Sequence, residues 1–351
     1  MSLGCMFPVT FQHGGPPVTG LATLRRASKL AVAALALAGG LLLPTLAVAQ
    51  AYPSRVVKII VPFPAGGPLD STARLLADKL ASSTKQPFVV ENRPGGAGNL
   101  GTDAVAKAAA DGYTLLLVLD TPLTVNPWLY AKLPFDPMRD FTPISTVASF
   151  PLSLVVHPSV PVNSVAEFVA YARTRKDKPL LYGSGGGPGN PGHLAMEYFR
   201  LQAGFEAAHV PYKGNAEVVM GLVSGQIEAG FLATPGVLPN VRDGRLKALA
   251  VSSPQRTSIA ADVPTVAESG YPGFEVGFYQ VMLAPAGIAE SVRTMLEREL
   301  QDIMQSAELQ QRLRVQALEP ITSTGAETAA LLKRVSAQWQ TVIKTANIRI
   351  D

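Results

Sequence analysis

The chain has one cysteine among its 351 residues, Cys5. A lone thiol closes no disulfide within the chain and leaves no pair for redox chemistry. Cys5 lies in SLGC with no apolar segment before it, so lipid attachment is not expected. Histidine is almost as scarce, at four, and His157, His193 and His209 stand in separate segments without a partner at metal-ligand spacing. An excess of charge is missing too. The formal net charge is +4, but Arg25, Arg26 and Lys29 precede the apolar run LAVAALALAGGLLLP, and without them 27 basic residues face 26 acidic ones. A nucleic-acid partner therefore has no electrostatic basis. What remains is 47% hydrophobic and 16% charged, the balance of a globular chain.

The uncharged core of that apolar run, residues 30–43, is short for a bilayer span and contains Gly39 and Gly40. Basic residues before it and Ala47-Val48-Ala49 after it make a secretory signal. We expect residues 1–49 to be a signal peptide with an N-terminal extension, cleaved after Ala49.

Residues 56–77, VVKIIVPFPAGGPLDSTARLLA, organise the rest. A β-branched apolar run predicts a strand buried on both faces, and Pro62 and Pro64 stop it. Gly66 and Gly67 let backbone approach a ligand closely, and Asp70 or Ser71 is placed to cap the helix that follows. Free N–H groups and the positive dipole end of such a helix suit a carboxylate or phosphate. The scheme of strand, glycine turn and helix recurs at residues 88–120 and 179–199, which predicts α/β architecture with parallel strands.

These glycine turns also invite enzyme readings. Gly96, Gly98 and Gly101 with Asp120 formally match a dinucleotide fingerprint. Pro94 forces a separate turn where that motif runs straight from strand to glycine, which argues against NAD. Gly187, Gly189 and Gly192 repeat the spacing, but Pro188 and Pro191 remove two donors. Ser184 lacks a nucleophile elbow because Tyr182 stands where glycine is required. No catalytic residue, cofactor or metal site is expected.

PFPAGG followed by Asp70 resembles the first ligand loop of the receptors of tripartite tricarboxylate transporters, often called Bug proteins. ENRPGG at residues 91–96 and DGYTLL at 111–116 are similar to the same family. So is YGS at 182–184 followed by His193, Leu194 and Glu197. Matches continue through residues 209–214, 225–231, 244–251 and 262–270. Three departures stand out. Asp120 occupies a place where members carry a small or neutral residue, residues 185–192 are unusually rich in glycine and proline, and Phe278 or Tyr279 replaces a tryptophan.

The resemblance implies a two-lobed periplasmic-binding-protein fold, of Venus-flytrap, type II-like form, with two three-layer α/β domains. The first would comprise residues 52–150 and 277–351, and the second residues 151–276. A small carboxylate, whether di- or tricarboxylate, amino acid or nicotinate-like, would sit between them for delivery to a membrane permease. The receptor would be periplasmic and monomeric. Alternatives are an exported NAD-dependent or hydrolytic enzyme, or a sensor serving a signalling partner. The expected ligand residues are Phe63, Ala65, Gly66, Gly67, Asp70, Asp120 and Thr121 from the first lobe. From the second they are Ser184, Gly187, Asn190, His193 and Thr234. An Asp120 carboxylate beside an anionic ligand would be costly, so its presence suggests a ligand bearing an ammonium or amide group.

Overall fold

A computed structural model describes residues 52–349 except 176, 187, 188 and 317, together with isolated positions 10, 14 and 15. Two units divide the chain, Met1–Ala51 and Tyr52–Asp351. The expected signal peptide and its cleavage point thus fall outside the described residues, those isolated positions apart, and so does Gly187. Among the described residues no helix is long and apolar enough to cross a membrane.

The second unit opens with β1 (Val57–Val61), α1 (Pro68–Thr84), β2 (Phe88–Asn92), α2 (Asn99–Ala106) and β3 (Thr114–Leu119). In β1, Val57, Ile59, Ile60 and Val61 are all buried, as the β-branched run predicts for a strand covered on both faces. It pairs in parallel with β2 on one side and β3 on the other. Short helices α3 (Thr121–Thr124) and α4 (Asn126–Leu129) precede β4 (Phe141–Val156).

Then follow α5 (Val165–Thr174), β5 (Leu180–Gly185), α6 (Pro191–Ala203), β6 (Ala207–Tyr212) and α7 (Asn215–Val223). Next come β7 (Ala229–Ala233), α8 (Thr234–Arg242) and β8 (Lys247–Val251). The chain returns through β9 (Gly277–Pro285), and ends with α9 (Glu290–Met304), α10 (Ala307–Val315), β10 (Glu319–Pro320) and α11 (Gly325–Thr345).

The strand order is β2-β1-β3-β9-β4-β7-β5-β6, and β4 belongs to both lobes. Its first part pairs antiparallel with β9 as far as Pro151 opposite Gly277. From Leu152 onward it pairs antiparallel with β7 on one side, and from Ser153 with β8 on the other. One strand thus passes through two α/β lobes, each with a parallel cluster next to it.

Apolar burial follows the same plan. On one face of the first lobe, Ile59 and Leu117 of the sheet meet Leu76 of α1 and Leu296 and Leu300 of α9. The second lobe has a smaller cluster around Val218, Leu222, Ile227 and Val237. A third cluster runs through both lobes, from Ile60 and Leu116 past Phe278 and Trp339 to Phe168 and Phe199. Fully burying each such side chain contributes about 1.5–3 kcal/mol. On the last helix Leu332, Val335, Trp339 and Val342 form a buried stripe, whereas Leu331 is half-buried.

Candidate functional site

Ligands of open α/β sheets bind beyond the carboxyl ends of strands, where the chain order switches direction. In the first lobe that point lies between β1 and β3, and the PFPAGG loop leaves β1 there. Gly66 has φ of 85°, a left-handed conformation that costs a side-chain-bearing residue energy. Its N–H donates to Asp70 Oδ2 at 2.9 Å. Asp70 is only 4% exposed and also accepts from Asn92 Nδ2 at 3.0 Å and Arg74 Nε at 3.1 Å. Burial alone would raise its pKa, but the donors Arg74, Gly66 and Asn92 prevail and hold the carboxyl below the usual range. Asp70 therefore braces the turn from behind.

Helix α1 starts earlier than its sequence suggests. Gly67 is the N-cap, Pro68 the first helical residue, and no side chain caps the end, so neither Asp70 nor Ser71 acts as the cap. Proline at the first position is pre-set for helix and lacks the N–H that would be unpaired there. The N–H groups of Leu69 and Asp70 meet no acceptor among the described residues.

A cavity of about 650 Å³ opens in front of this turn. Phe63 and the stretch from Pro64 to Leu69 form one wall. Leu119, the last residue of β3, and Gln280, its partner on β9, lie side by side in the lining. Phe150 contributes at the crossing of β4, and Ala233 and Pro235 close the cavity from the second lobe. Gln316 and Leu318 complete it. No charged side chain lines this cavity among the described residues. Ala233 is the N-cap of α8, so helix N-termini from both lobes reach the same space.

Of the expected first-lobe residues, Phe63, Ala65, Gly66 and Gly67 line the cavity. Asp120 does not. It is fully buried, with Oδ1 accepting from Tyr279 N–H at 2.9 Å and Oδ2 from the Thr124 hydroxyl at 3.0 Å. Burial pushes its pKa up to about 7 against those two donors. Its partners are supplied by the protein, which removes the reason to look for a cationic ligand. Thr121 begins α3 beside it and is absent from the lining.

Of the second-lobe residues, Ser184, Asn190 and His193 are brought together, and neither they nor Thr234 are among the residues lining this cavity. Asn190 caps α6 by accepting from Gly192 N–H at 2.9 Å and His193 N–H at 3.2 Å, and its Nδ2 donates to Ser184 Oγ at 2.7 Å. Ser184 Oγ lies 2.7 Å from His209 Nε2, and the His193 and His209 rings stack at 4.0 Å. Gly189 N–H donates to His193 Nδ1 at 3.0 Å, so that nitrogen carries no proton. Burial lowers both imidazole pKa values, that of His193 to about 4, and His209 adds to the effect on His193.

Sequence reading separated these histidines because the parallel register setting Tyr182 opposite His209 is invisible in one dimension. The Ser184–His209 contact pairs a hydroxyl with an imidazole as a hydrolytic dyad does, yet Ser184 has 0% exposure. Thr234 is likewise enclosed. Its hydroxyl accepts from Ser153 Oγ at 2.9 Å and donates to Pro151 O at 3.1 Å, tying α8 to the crossing. Gly98 and Gly101 of the apparent dinucleotide motif serve packing, since a Cβ would lie 2.9 Å from Pro122 Cγ at the first and 2.7 Å from Arg93 O at the second. No group of three or more potential metal ligands occurs among the described residues. Phe150, Gln280 and Gln316 line the cavity without a sequence signal of their own: Gln280 stands opposite the end of β3, Phe150 lies within β4, and Gln316 caps the end of α10.

Comparison with known proteins bears on this arrangement. Residues 72–348 match the family model for the tripartite tricarboxylate transporter family receptor. Protein BugT of Bordetella pertussis is 35% identical over 303 residues, which cover 86% of this chain and 92% of the relative. A solved R. palustris protein with adipate is 34% identical with a TM-score of 0.70, covering 85% of this chain and all of that one (100%). MatC from Rhodopseudomonas palustris, solved with bound malate, is 28% identical with a TM-score of 0.66, covering 83% and 100%. These similarities extend through both lobes and agree with a two-lobed periplasmic-binding-protein fold. The chain therefore belongs to the tripartite tricarboxylate transporter receptor family, whose members are periplasmic solute-binding proteins rather than enzymes.

Proposed function

We propose that this receptor captures a small dicarboxylate, about four to six carbons long, in the cavity between its lobes and presents it to a membrane permease. The observation that carries the reading is a cavity of about 650 Å³, with no charged side chain in its lining among the described residues, reached by the N-termini of α1 and α8 from opposite lobes. Each N-terminus favours an anionic group, and free backbone N–H groups supply the hydrogen bonds that cationic side chains would otherwise provide. Adipate and malate in two similar receptors are molecules of this kind.

We take residues 52–150 and 277–351 as one lobe and 151–276 as the other, divided where β4 exchanges β9 for β7. Ligand held by both sides favours the closed arrangement, so occupancy shifts the hinge equilibrium and gives the permease a loaded form to recognise. Cleavage after Ala49 would release the mature monomer into the periplasm. Titration calorimetry of the purified mature protein with succinate, malate, glutarate and adipate tests the reading, with aspartate and nicotinate for comparison. Saturable heat with at least one dicarboxylate is expected. No heat with any of the four would overturn it.

A further inference from the structure

Two strands, β4 and β9, pass between the lobes, and one residue just beyond the end of β8 grips both of them. Ser252 is fully buried. Its backbone N–H donates to Leu152 O of β4 at 2.8 Å, and its carbonyl accepts from Val276 N–H, one residue before β9, at 2.9 Å. Its hydroxyl repeats the connection. Oγ accepts from Leu152 N–H at 2.9 Å and donates to Val276 O at 2.6 Å. One hydroxyl thus satisfies a buried donor on the first crossing strand and a buried acceptor on the second.

We infer that Ser252 is the positioning residue of the hinge, a pin that makes the two crossing strands turn as one where they enter the second lobe. The inference rests on the receptor reading and names a residue that couples binding to closure. On the first-lobe side the strands are fixed again at Ser149 and Tyr279, which stand opposite one another. Ser149 also pairs with Glu319 of β10. Tyr279 donates its N–H to Asp120 Oδ1 at 2.9 Å and accepts from Asp120 N–H at 2.8 Å.

Between pin and anchor lie Phe150 and Pro151 of β4, opposite Phe278 and Gly277 of β9. Proline has no N–H to give the ladder and glycine has the widest backbone freedom, so the ribbon bends with least loss at Pro151 and Gly277. Phe150 in the same short stretch lines the cavity, so an occupant touches the bending segment directly. Arg334, Gln338 and Tyr279 also hold Glu275 across this gap, and Glu319 accepts from Ser258. Each of those ties runs through a side chain with several rotatable bonds, which follows a rotation, whereas Ser252 joins backbone to backbone through one short hydroxyl. With the strands pinned, the lobes turn about one line and few empty molecules stray from the arrangement a ligand needs. Without the pin each strand bends on its own, that fraction falls, and the apparent Kd rises in proportion.

Titration calorimetry with succinate, malate, glutarate and adipate compares wild type, Ser252→Ala and a control, Ser145→Ala. Ser145 is equally buried, and its hydroxyl donates to Ser323 O at 2.9 Å inside the first lobe. Ser252→Ala should raise the Kd about threefold to tenfold, the factor by which the binding-competent fraction falls. Small-angle scattering should show this variant wider than wild type when empty and equal to it when loaded. Ser145→Ala, whatever its loss of melting temperature, should keep the wild-type Kd. Should Ser252→Ala not fold, hydrogen exchange in wild type decides. The amides of Leu152 and Val276 must then show one common protection, and unequal protection overturns the inference. So does a folded Ser252→Ala with wild-type affinity, or an equal loss of affinity in both variants, and the receptor reading survives either result. Failure of all four acids to bind wild type overturns both.

Discussion

Asp120 shows how a buried carboxyl can be mistaken for a ligand contact. Its oxygens are occupied by Tyr279 N–H and the Thr124 hydroxyl, and it has no exposed surface. The fold keeps its proton to about pH 7, against 3.8 in the unfolded chain. Between those values the folded state holds a proton that the unfolded state has lost, so stability declines as pH rises through that window and is fully present only below it. Asp120→Asn keeps an acceptor for Tyr279 and has no charge to desolvate. Scanning calorimetry should show the variant melting about 2–4 °C above wild type at pH 8, with the difference vanishing near pH 4. Equal melting profiles across that range would refute this account, and the ligand ranking should be unaffected.

Among the elements, α2 depends on close approach to the end of β1. A Cβ on Gly101 would lie 2.7 Å from Arg93 O and 2.7 Å from Pro62 Cβ, and neither backbone segment yields easily. Gly101→Ala should therefore destabilise the protein by about 1–3 kcal/mol, read as an earlier urea midpoint with unchanged slope. Local signals of this kind were legible in sequence. The run from Val57 to Val61 and the prolines and glycines after it act within a few residues of themselves.

What could not be read depends on distant pairing. Strand β4 contains Pro143 and Pro151, residues that normally speak against a continuous strand. Register shifts next to Pro143 absorb the first, and the second falls where β4 changes partners. The second-lobe loop after β5 was expected at the ligand. Ser184, Asn190 and His193 of that loop are absent from the cavity lining, and Gly189 lies against Leu129 of α4, where a Cβ would be 2.3 Å from Leu129 Cδ1. The second lobe's share of the lining comes from the end of β7, Ala233 and Pro235, and the strand-end position of Ala233-Thr234 is legible in sequence.

At the scale of the molecule, the lobes share a strand and an apolar cluster that continues from one into the other. A closing motion must therefore bend β4 and β9 near their crossing while the aromatic rings beside it stay packed. Phe150, in the cavity wall, stacks on Phe278 at 5.5 Å, and Phe278 stacks on Trp339 at 6.0 Å. Only two tryptophans exist in the chain. The other, Trp128, is half-buried and donates to Ser336 Oγ at 3.0 Å.

This column of rings has an optical consequence. An occupant pressing on Phe150 disturbs the surroundings of one indole through a single intervening ring, so cargo loading should alter ultraviolet-excited emission without any attached dye. Trp128→Phe should keep the titratable change and Trp339→Phe should abolish it. The reverse pattern would show that the signal arises elsewhere. A chain with so few fluorophores is in this way furnished with its own gauge of occupancy.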